Sequence, residues 1–419
     1  MKLMIINSHY FGTPSIALRG IILLTDKVLK NIQIQELQGF LKDNEVKGRT
    51  TRITASGTHL KYLNYITVIE EEIASVEVGT LTSEVVDELL FKYLFYANNN
   101  LHFVFRFSSY FHKIPRNRTE ITRILSHMPQ LMFNKNLVEW EDNTKRINLC
   151  TTRADYFAND ELKTLHFLFR IANLELEYGK TSVFCGVTLD FEHDFLILKF
   201  NQNQFNKMDG EPLATINSIK GALSGAGDFS DSFKWMEISA QQLNEDTVNS
   251  IIYKLFKDLS LEAEEILDSK MTKENLLHID SFMENVGLSN LELKLKQEYI
   301  KQIKAVIYQD ISRTMEDTRF KKGWVFKLGF REGDFSRASQ NAEKRSPIYS
   351  QRVFWQLKEI IHGTERMQEG GFHWKINKSF VEVGMKSKNG GLLVYYYARL
   401  REGRREKEEY VLRKIAENF

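Results

Sequence analysis

Segments with two different hydrophobic periods alternate along this chain. Between residues 101 and 107, apolar side chains recur at every second position, which is the period of a β-strand with one buried face. Between residues 291 and 317 they recur at helical spacing, and a helix of about 25 residues would be roughly 38 Å long. A chain of 419 residues is also long for one compact domain. We therefore expect an α+β fold of two or three mixed domains, in which the long helix leads into a C-terminal α+β domain.

Charged residues divide the sequence into segments of different sign. Residues 1–150 contain 18 Lys and Arg against 15 Asp and Glu, residues 151–318 contain 17 against 28, and residues 319–419 contain 22 against 12. The net charges are therefore +3, −11 and +10, which together give the overall +2. Together with the periodicity, this division predicts a mixed α/β domain at 1–150, an acidic α+β domain at 151–290, a connecting helix at 291–318 and a basic, aromatic-rich domain at 319–419.

The basic C-terminal segment has two interpretations. Positive charge gathered in one segment favours a polyanion such as nucleic acid as the partner. Alternatively, the segment docks on the acidic middle of its own chain, because complementary patches within one protein produce the same charge pattern. The two interpretations differ in whether the cations stay exposed in the folded protein.

Composition excludes several classes of protein. The longest apolar runs are far shorter than the roughly 18 residues of a membrane-spanning helix, and the first residues lack a signal-peptide pattern. Two cysteines, Cys150 and Cys185, are too few for a disulfide scaffold. We therefore expect a cytoplasmic protein without a membrane partner. A chain with few prolines and many Asn and Lys residues is typical of bacteria or phages, which suggests a role in DNA or RNA handling or in antiviral defence.

One short helix is predicted at the centre of the basic segment, from Ser350 to His362, with Gly363 as its stop signal. At 100° per residue, one face is apolar and contains Val353, Phe354, Leu357, Ile360 and Ile361. The opposite face contains Arg352, Trp355, Glu359 and His362. Large aromatic side chains usually spend their area in a core or in a contact, so an outward Trp355 predicts a binding surface.

Cations and aromatic rings are interleaved in the same segment, and this mixture is typical of nucleic-acid binding. Cations neutralise phosphates and release counterions, while rings stack on unpaired bases. Residues 329–345 are interpreted as a mobile basic loop, and two further arginines precede a predicted helix at 119–127, where phosphate is favoured. The predicted nucleic-acid-binding residues are Lys321, Lys322, Lys327, Arg331, Arg337, Lys344, Arg345, Arg352, Trp355, Arg116 and Arg118.

A metal-dependent nuclease is the alternative enzyme hypothesis. Nucleases of the restriction type combine two carboxylates with a lysine, and Asp334, Glu382 and Lys386 are the candidates here. Glu382 and Lys386 are four positions apart, which places them on one face of a regular strand but departs from the acidic-x-Lys spacing of these nucleases. No cofactor is expected otherwise, and a divalent metal is expected only under this alternative.

Residues 190–194 are a second place where such a metal would bind. They join two predicted strands at 182–189 and 195–200, whereas helical spacing predicts a helix at 160–172. Clustered carboxylates and an imidazole suit a divalent cation, although polar residues at a hairpin tip are far commoner. The candidate ligands are Asp190, Glu192, His193 and Asp194.

A scaffold subunit is the third hypothesis. Its basic tail would then bind a protein, and the helix at 291–317 would pair with a partner protein or with a second copy of the chain.

Overall fold

The computed structural model describes residues 23–54, 58–75, 80–143, 145–176, 179–288, 290–312, 320–332, 336–397 and 403–419. Its α-helices are α1 (Asp26–Leu29), α2 (Ile34–Asp43), α3 (Arg49–Arg52), α4 (Thr58–Ala74), α5 (Ser83–Phe91), α6 (Arg118–Ser126), α7 (Gln202–Phe205), α8 (Pro212–Leu223), α9 (Ser230–Phe233), α10 (Glu245–Asp268), α11 (Lys273–Asn285), α12 (Leu293–Ser312), α13 (Arg352–Thr364) and α14 (Arg404–Ala416). Its strands are β1 (Leu101–Ser108), β2 (Asn148–Tyr156), β3 (Leu162–Leu176), β4 (Gly179–Asp190), β5 (Phe195–Phe200), β6 (Ser239–Gln241), β7 (Gly323–Glu332), β8 (Ser336–Asn341), β9 (Glu369–Ile376), β10 (Ser379–Lys388) and β11 (Gly391–Tyr396). The predicted α+β class is confirmed.

All eleven strands belong to one sheet. Their order is β2-β3-β4-β5-β1-β11-β10-β9-β7-β8, with β6 paired to β1, and every pairing between these strands is antiparallel. The sheet continues across the predicted domain divisions, since β2 itself spans residue 150 and β1 pairs with both β5 and β11.

Helices cover the first face of the sheet along its length. Val104, Phe372 and Val383 point to this face and share a core with α10, α12, α13 and α14. At the other end of the same face, Leu168 and Phe184 pack against α1, α2, α4 and α5. Alternate residues of the strands therefore meet helices rather than solvent, as the period of two requires.

The second face is covered by α6, α8 and α9 over strands β1 to β5, where it forms a separate aromatic-rich core. The same face continues on β10 and β9. Leu393 of β11 is directly opposite Lys386 of β10, and Glu382 of β10 is directly opposite His373 of β9. The second face therefore extends to the C-terminal strands, and its side chains there include the exposed Phe380 and Lys386.

The predicted long helix is confirmed as α12, which ends at Ser312 within the described residues. The prediction for 313–317 lies outside them, as does Asp334. Asn389 and Gly390 both have positive φ, 55° and 71°, and they form the tight turn between β10 and β11, for which an Asn-Gly pair between two strand-like runs is a sequence signal.

Two local predictions were wrong. Residues 160–172 lie mostly in strand β3, because this central strand is buried on both faces and its apolar residues also satisfy helical spacing. Residues 329–345, interpreted as a mobile loop, instead contain the β7–β8 hairpin.

Among the described residues, no helix combines the length and hydropathy needed to span a bilayer.

Candidate functional site

Three aromatic rings are stacked across β7, β9 and β10 on the second face of the sheet. The rings of Trp324 and His373 have centroids 3.7 Å apart and planes 8° from parallel, and the rings of His373 and Phe380 are 4.8 Å and 13° apart. The strand register produces this stack, since Trp324 is directly opposite His373. Trp324 and His373 are buried, whereas the Phe380 ring is 42 % exposed. The stack therefore ends in a flat ring with an open face.

Cations surround this ring stack. Lys375 lies over the Trp324 ring, with its Nζ 5.5 Å from the centroid, and Lys378 is exposed in the turn that precedes Phe380. The Arg345 guanidinium is 4.9 Å from the Tyr397 ring, and its Nε lies 2.9 Å from a carboxylate oxygen of Glu382. This part of the sheet thus combines an exposed ring with positive charge.

The predicted basic residues divide into two groups. Lys322 pairs with Asp258 at 3.1 Å and Lys327 pairs with Glu369 at 2.5 Å, while Arg345 pairs with Glu382. The second group is exposed and has no carboxylate partner among the described residues; it consists of Lys321, Arg331, Lys344 and Arg352. The register places Arg337 opposite Arg331 in the β7–β8 hairpin, and the Arg337 side chain lies outside the description.

Docking of the basic segment on the acidic middle also occurs. Besides the Lys322–Asp258 pair, Lys358 lies 2.8 Å from Glu264, and Arg366 lies 2.8 Å from Asp246. Part of the positive charge of the C-terminal segment is therefore used within the protein, whereas the second group above stays exposed.

The expected outward position of Trp355 is wrong. Its side chain is only 3 % exposed, its Nε1 donates a 2.7 Å hydrogen bond to the Tyr349 carbonyl, and its ring meets that of Tyr308 edge-on. The reason is that α13 is packed on two sides, against the sheet on one and against α12 on the other, whereas a single amphipathic stripe describes a helix packed on one side. Val353, expected in the core, is 47 % exposed. Trp355 is therefore unable to stack on a base.

Arg116 precedes α6 and Arg118 is its first residue, and both side chains are ion-paired. Arg116 lies 2.9 Å from Glu161 and Arg118 lies 2.7 Å from Asp160. The Arg118 guanidinium also lies 4.5 Å from the centre of the Tyr156 ring. These contacts anchor the start of α6 to the β2–β3 turn.

Of the three nuclease candidates, the two that lie in the described residues, Glu382 and Lys386, are not brought together. Glu382 accepts from His373 Nδ1 at 3.2 Å and pairs with Arg345, so its carboxylate is already engaged. Lys386 is on the same face of β10, but four strand residues separate the two Cα positions by about 14 Å. The third candidate, Asp334, lies outside the described residues.

Residues 190–194 do form the predicted hairpin tip between β4 and β5. Asp190 accepts a 2.7 Å hydrogen bond from His193 Nδ1 and another from the backbone N–H of Glu192, while Asp194 accepts from His112 Nε2 at 3.1 Å. Ligand atoms of Asp190, Glu192 and His193 lie within 4.8 Å of one another, and the imidazole would bind a metal through Nε2. The hydrogen bond to Asp190 raises the pKa of His193. A metal at these residues stays a prediction.

A row of buried polar side chains crosses the first face of the sheet, and it was missed by sequence reasoning. Successive strands contribute residues that are directly opposite one another, such as His166 and Thr188. The row lies beside a cavity of about 270 Å³ under α14 and a π-helical turn at Lys92–Ala97. Its members are Thr164, His166, Thr188, Asp190, Lys199 and His102. Polar residues at every second position of β3 and β4 were the available signal.

Helix α14 is fixed to this row by buried charges. Glu408 accepts from Lys199 Nζ at 2.7 Å and from Arg404 Nε at 2.6 Å, and all three side chains are less than 5 % exposed. The neighbouring cations hold the pKa of Glu408 down to about 2 although burial alone would raise it, and burial lowers the pKa of Lys199. A second set joins Asp155 to His166 and Arg405, each at 2.8 Å. These contacts connect α14 to the sheet, and removal of any one partner would leave a buried charge uncompensated.

The pH dependence of stability is expected to reveal the buried His102. Burial lowers its pKa from 6.5 to about 3, and its Nε2 donates to the Asn99 carbonyl. Between these two pH values the unfolded chain binds a proton that the folded protein does not, so the free energy of unfolding falls as the pH falls from 6.5 towards 3. The slope from one such group is about 1 kcal/mol per pH unit.

The measurement is chemical denaturation of the wild type and of His102→Gln between pH 7 and pH 5. The variant is expected to lose less stability over this interval than the wild type does. His278→Gln is the control, because His278 is exposed and its removal should leave the slope unchanged. Equal slopes for His102→Gln and the wild type would contradict the assignment.

Neither a protein-family model nor a curated protein matches this chain. A function is therefore proposed from the stacked rings on the second face and the charges around them.

Proposed function

We propose that the protein binds single-stranded nucleic acid on the second face of the sheet, at β7, β9 and β10. The observation that carries the proposal is the stack of Trp324, His373 and Phe380, which ends in an exposed ring. A nucleobase placed on the open side of Phe380 would continue the stack by one ring. Stacking of an unpaired base on an aromatic side chain contributes about 1–3 kcal/mol and tolerates any base.

The surrounding charges support a nucleic-acid ligand over an uncharged aromatic one. Lys378 is exposed two residues before Phe380, and Lys386 is exposed on the same face of β10. A strand whose base stacks on Phe380 would have a phosphate within reach of Lys378. Lys386 lies about 20 Å further along β10, where it would meet a phosphate of a more distant nucleotide. Phosphate contacts of this kind release counterions, so the affinity is expected to fall steeply as salt rises.

Duplexes are expected to bind more weakly than single strands. Bases in a duplex are already stacked on their neighbours and present only their edges in the grooves. An exposed ring on a sheet surface instead suits bases that are free to turn outward, as single-stranded RNA or DNA allows. The choice between RNA and DNA depends on contacts to the 2′-hydroxyl.

Replacing Phe380 with alanine is expected to weaken the binding of a single-stranded oligonucleotide about 5- to 100-fold, the range that corresponds to the loss of one stacked base. Phe380→Trp is expected to retain or increase affinity, because indole offers a larger stacking face. The measurement is fluorescence anisotropy of labelled oligo(dT) and oligo(U) against the full-length protein, repeated over a salt series.

Leu213→Ala is the matched control, since Leu213 is exposed to nearly the same extent, 44 %, on α8. It should leave affinity unchanged. Two results would remove the proposal: wild-type protein without salt-dependent affinity for either oligonucleotide, or equal affinities for the Phe380→Ala variant and the wild type.

A further inference from the structure

Exposed apolar side chains are concentrated in two consecutive helices, α11 and α12. Eight of the seventeen large apolar residues that are exposed in the described part of the chain lie between residues 276 and 306, in or beside α11 and α12. They are Leu276, Leu277, Phe282, Val286, Leu293, Leu295, Tyr299 and Val306. Single exposed apolar residues are normal on a protein surface, whereas a cluster of this size marks an interaction site.

Helix α12 has two apolar faces, and the residues that the structure describes cover one of them. Ala305 and Tyr308 are buried, and Tyr308 packs against Trp355 of α13. Leu295, Tyr299 and Val306 fall within about 40° of one another on a different side of the helix, at 100° per residue. Their exposed fractions are 41 %, 37 % and 67 %. The spacing of four and seven residues is that of a helix seam that receives another helix.

The charges of the two helices are complementary. Helix α11 contains one Lys against three acidic residues, a net charge of −2, whereas α12 contains four Lys against two acidic residues, a net charge of +2. The acidic side chains of α11 are exposed, as are Lys294 and Lys301 of α12. A surface that carries both signs on neighbouring helices is complementary to a second copy of itself.

We infer that α11 and α12 form the interface of a homodimer. A twofold axis places the acidic α11 of one protomer against the basic α12 of its partner, and the same contact then occurs twice, as an isologous interface requires. The apolar residues of both helices fill the centre and the charges form the rim. The inference is independent of nucleic-acid binding.

The first test is the mass of the purified full chain in solution, measured by light scattering across a micromolar concentration series. The wild type is expected at twice the monomer mass of 49.0 kDa. Val306→Asp would place a charge in the centre of the interface, so it is expected to raise the dissociation constant about 10-fold or more. The matched control is Val353→Asp, an exposed valine on α13, which should remain dimeric.

Charge reversal tests the predicted pairing of α11 with α12. One variant has its α11 acids replaced (Glu274→Lys, Asp280→Lys and Glu284→Lys), and a second has Lys294→Glu, Lys296→Glu and Lys301→Glu. Each variant alone carries one sign on both helices and is expected to be monomeric, whereas an equal mixture is expected to form the dimer. A monomeric wild type, or a Val306→Asp variant that stays dimeric, would overturn the inference. The circular dichroism spectrum of each variant is the check that it is folded.

Discussion

Glu408→Ala is expected to destabilise the folded protein by about 3–5 kcal/mol, the range for removing one partner of a buried ion pair. The carboxylate is shared by Lys199 and Arg404, and both cations are buried with it under α14. Without the Glu408 carboxylate, the buried charges of Lys199 and Arg404 have neither water nor a carboxylate beside them. The measurement is the free energy of unfolding in urea, followed by circular dichroism at neutral pH.

The neighbouring Glu409 provides the control. It pairs with Lys163 at 2.9 Å and with Arg405 at 3.1 Å, but its side chain is 44 % exposed. Water replaces the lost partner there, so Glu409→Ala is expected to cost less than about 1 kcal/mol. Similar losses for the two variants would contradict the view that buried charges fix α14 to the sheet.

Gly323→Ala is expected to cost about 3 kcal/mol or more, which places it among the largest single-residue effects in proteins. Gly323 has φ = 136°, and a Cβ there would lie 1.9 Å from the carbonyl oxygen of His373. Relief requires movement of backbone, because Gly323 is opposite Trp374 in the β7–β9 ladder. The same unfolding measurement applies, and near-ultraviolet circular dichroism should report a disturbed environment of Trp324.

Gly39→Ala is the matched substitution. Gly39 lies inside α2, and a Cβ there would meet no atom within 4 Å. Alanine favours helix over glycine, so this variant is expected to gain up to about 1 kcal/mol of stability. The strain assigned to Gly323 would be disproved if the two substitutions had effects of the same sign.

Local signals in the sequence predicted many of the elements. The alternation in residues 101–107 and the turn at Asn389 and Gly390 are properties of a few neighbouring residues, and both occur in the structure. The stripe in residues 291–317 predicted α12 for the same reason. Such signals depend on period and on backbone preference, which the sequence carries directly.

The predictions that failed were those that depended on which other elements pack against a helix or a strand. Trp355 is buried because α12 packs against the side of α13 that lies outside its hydrophobic stripe. Residues 160–172 were assigned to a helix because both faces of β3 are covered, and the pairing of Lys199 with Glu408 joins positions 209 residues apart. The ring stack likewise needs the register of three strands before His373 falls between Trp324 and Phe380. Tertiary neighbours of this kind have no local signature.

The position of β1 in the sheet determines which strand edge is exposed when the chain is truncated. This strand lies between β5 and β11, so a cut at residue 318 would leave β11 with a bare row of backbone donors and acceptors on one edge. Open edges recruit strands from other molecules, and a fragment that starts after the cut is therefore expected to aggregate. During synthesis, β1 cannot pair with β11 until that strand has also been made, because Leu101 is opposite Tyr395, 294 positions later in the chain. This pairing is therefore a late event.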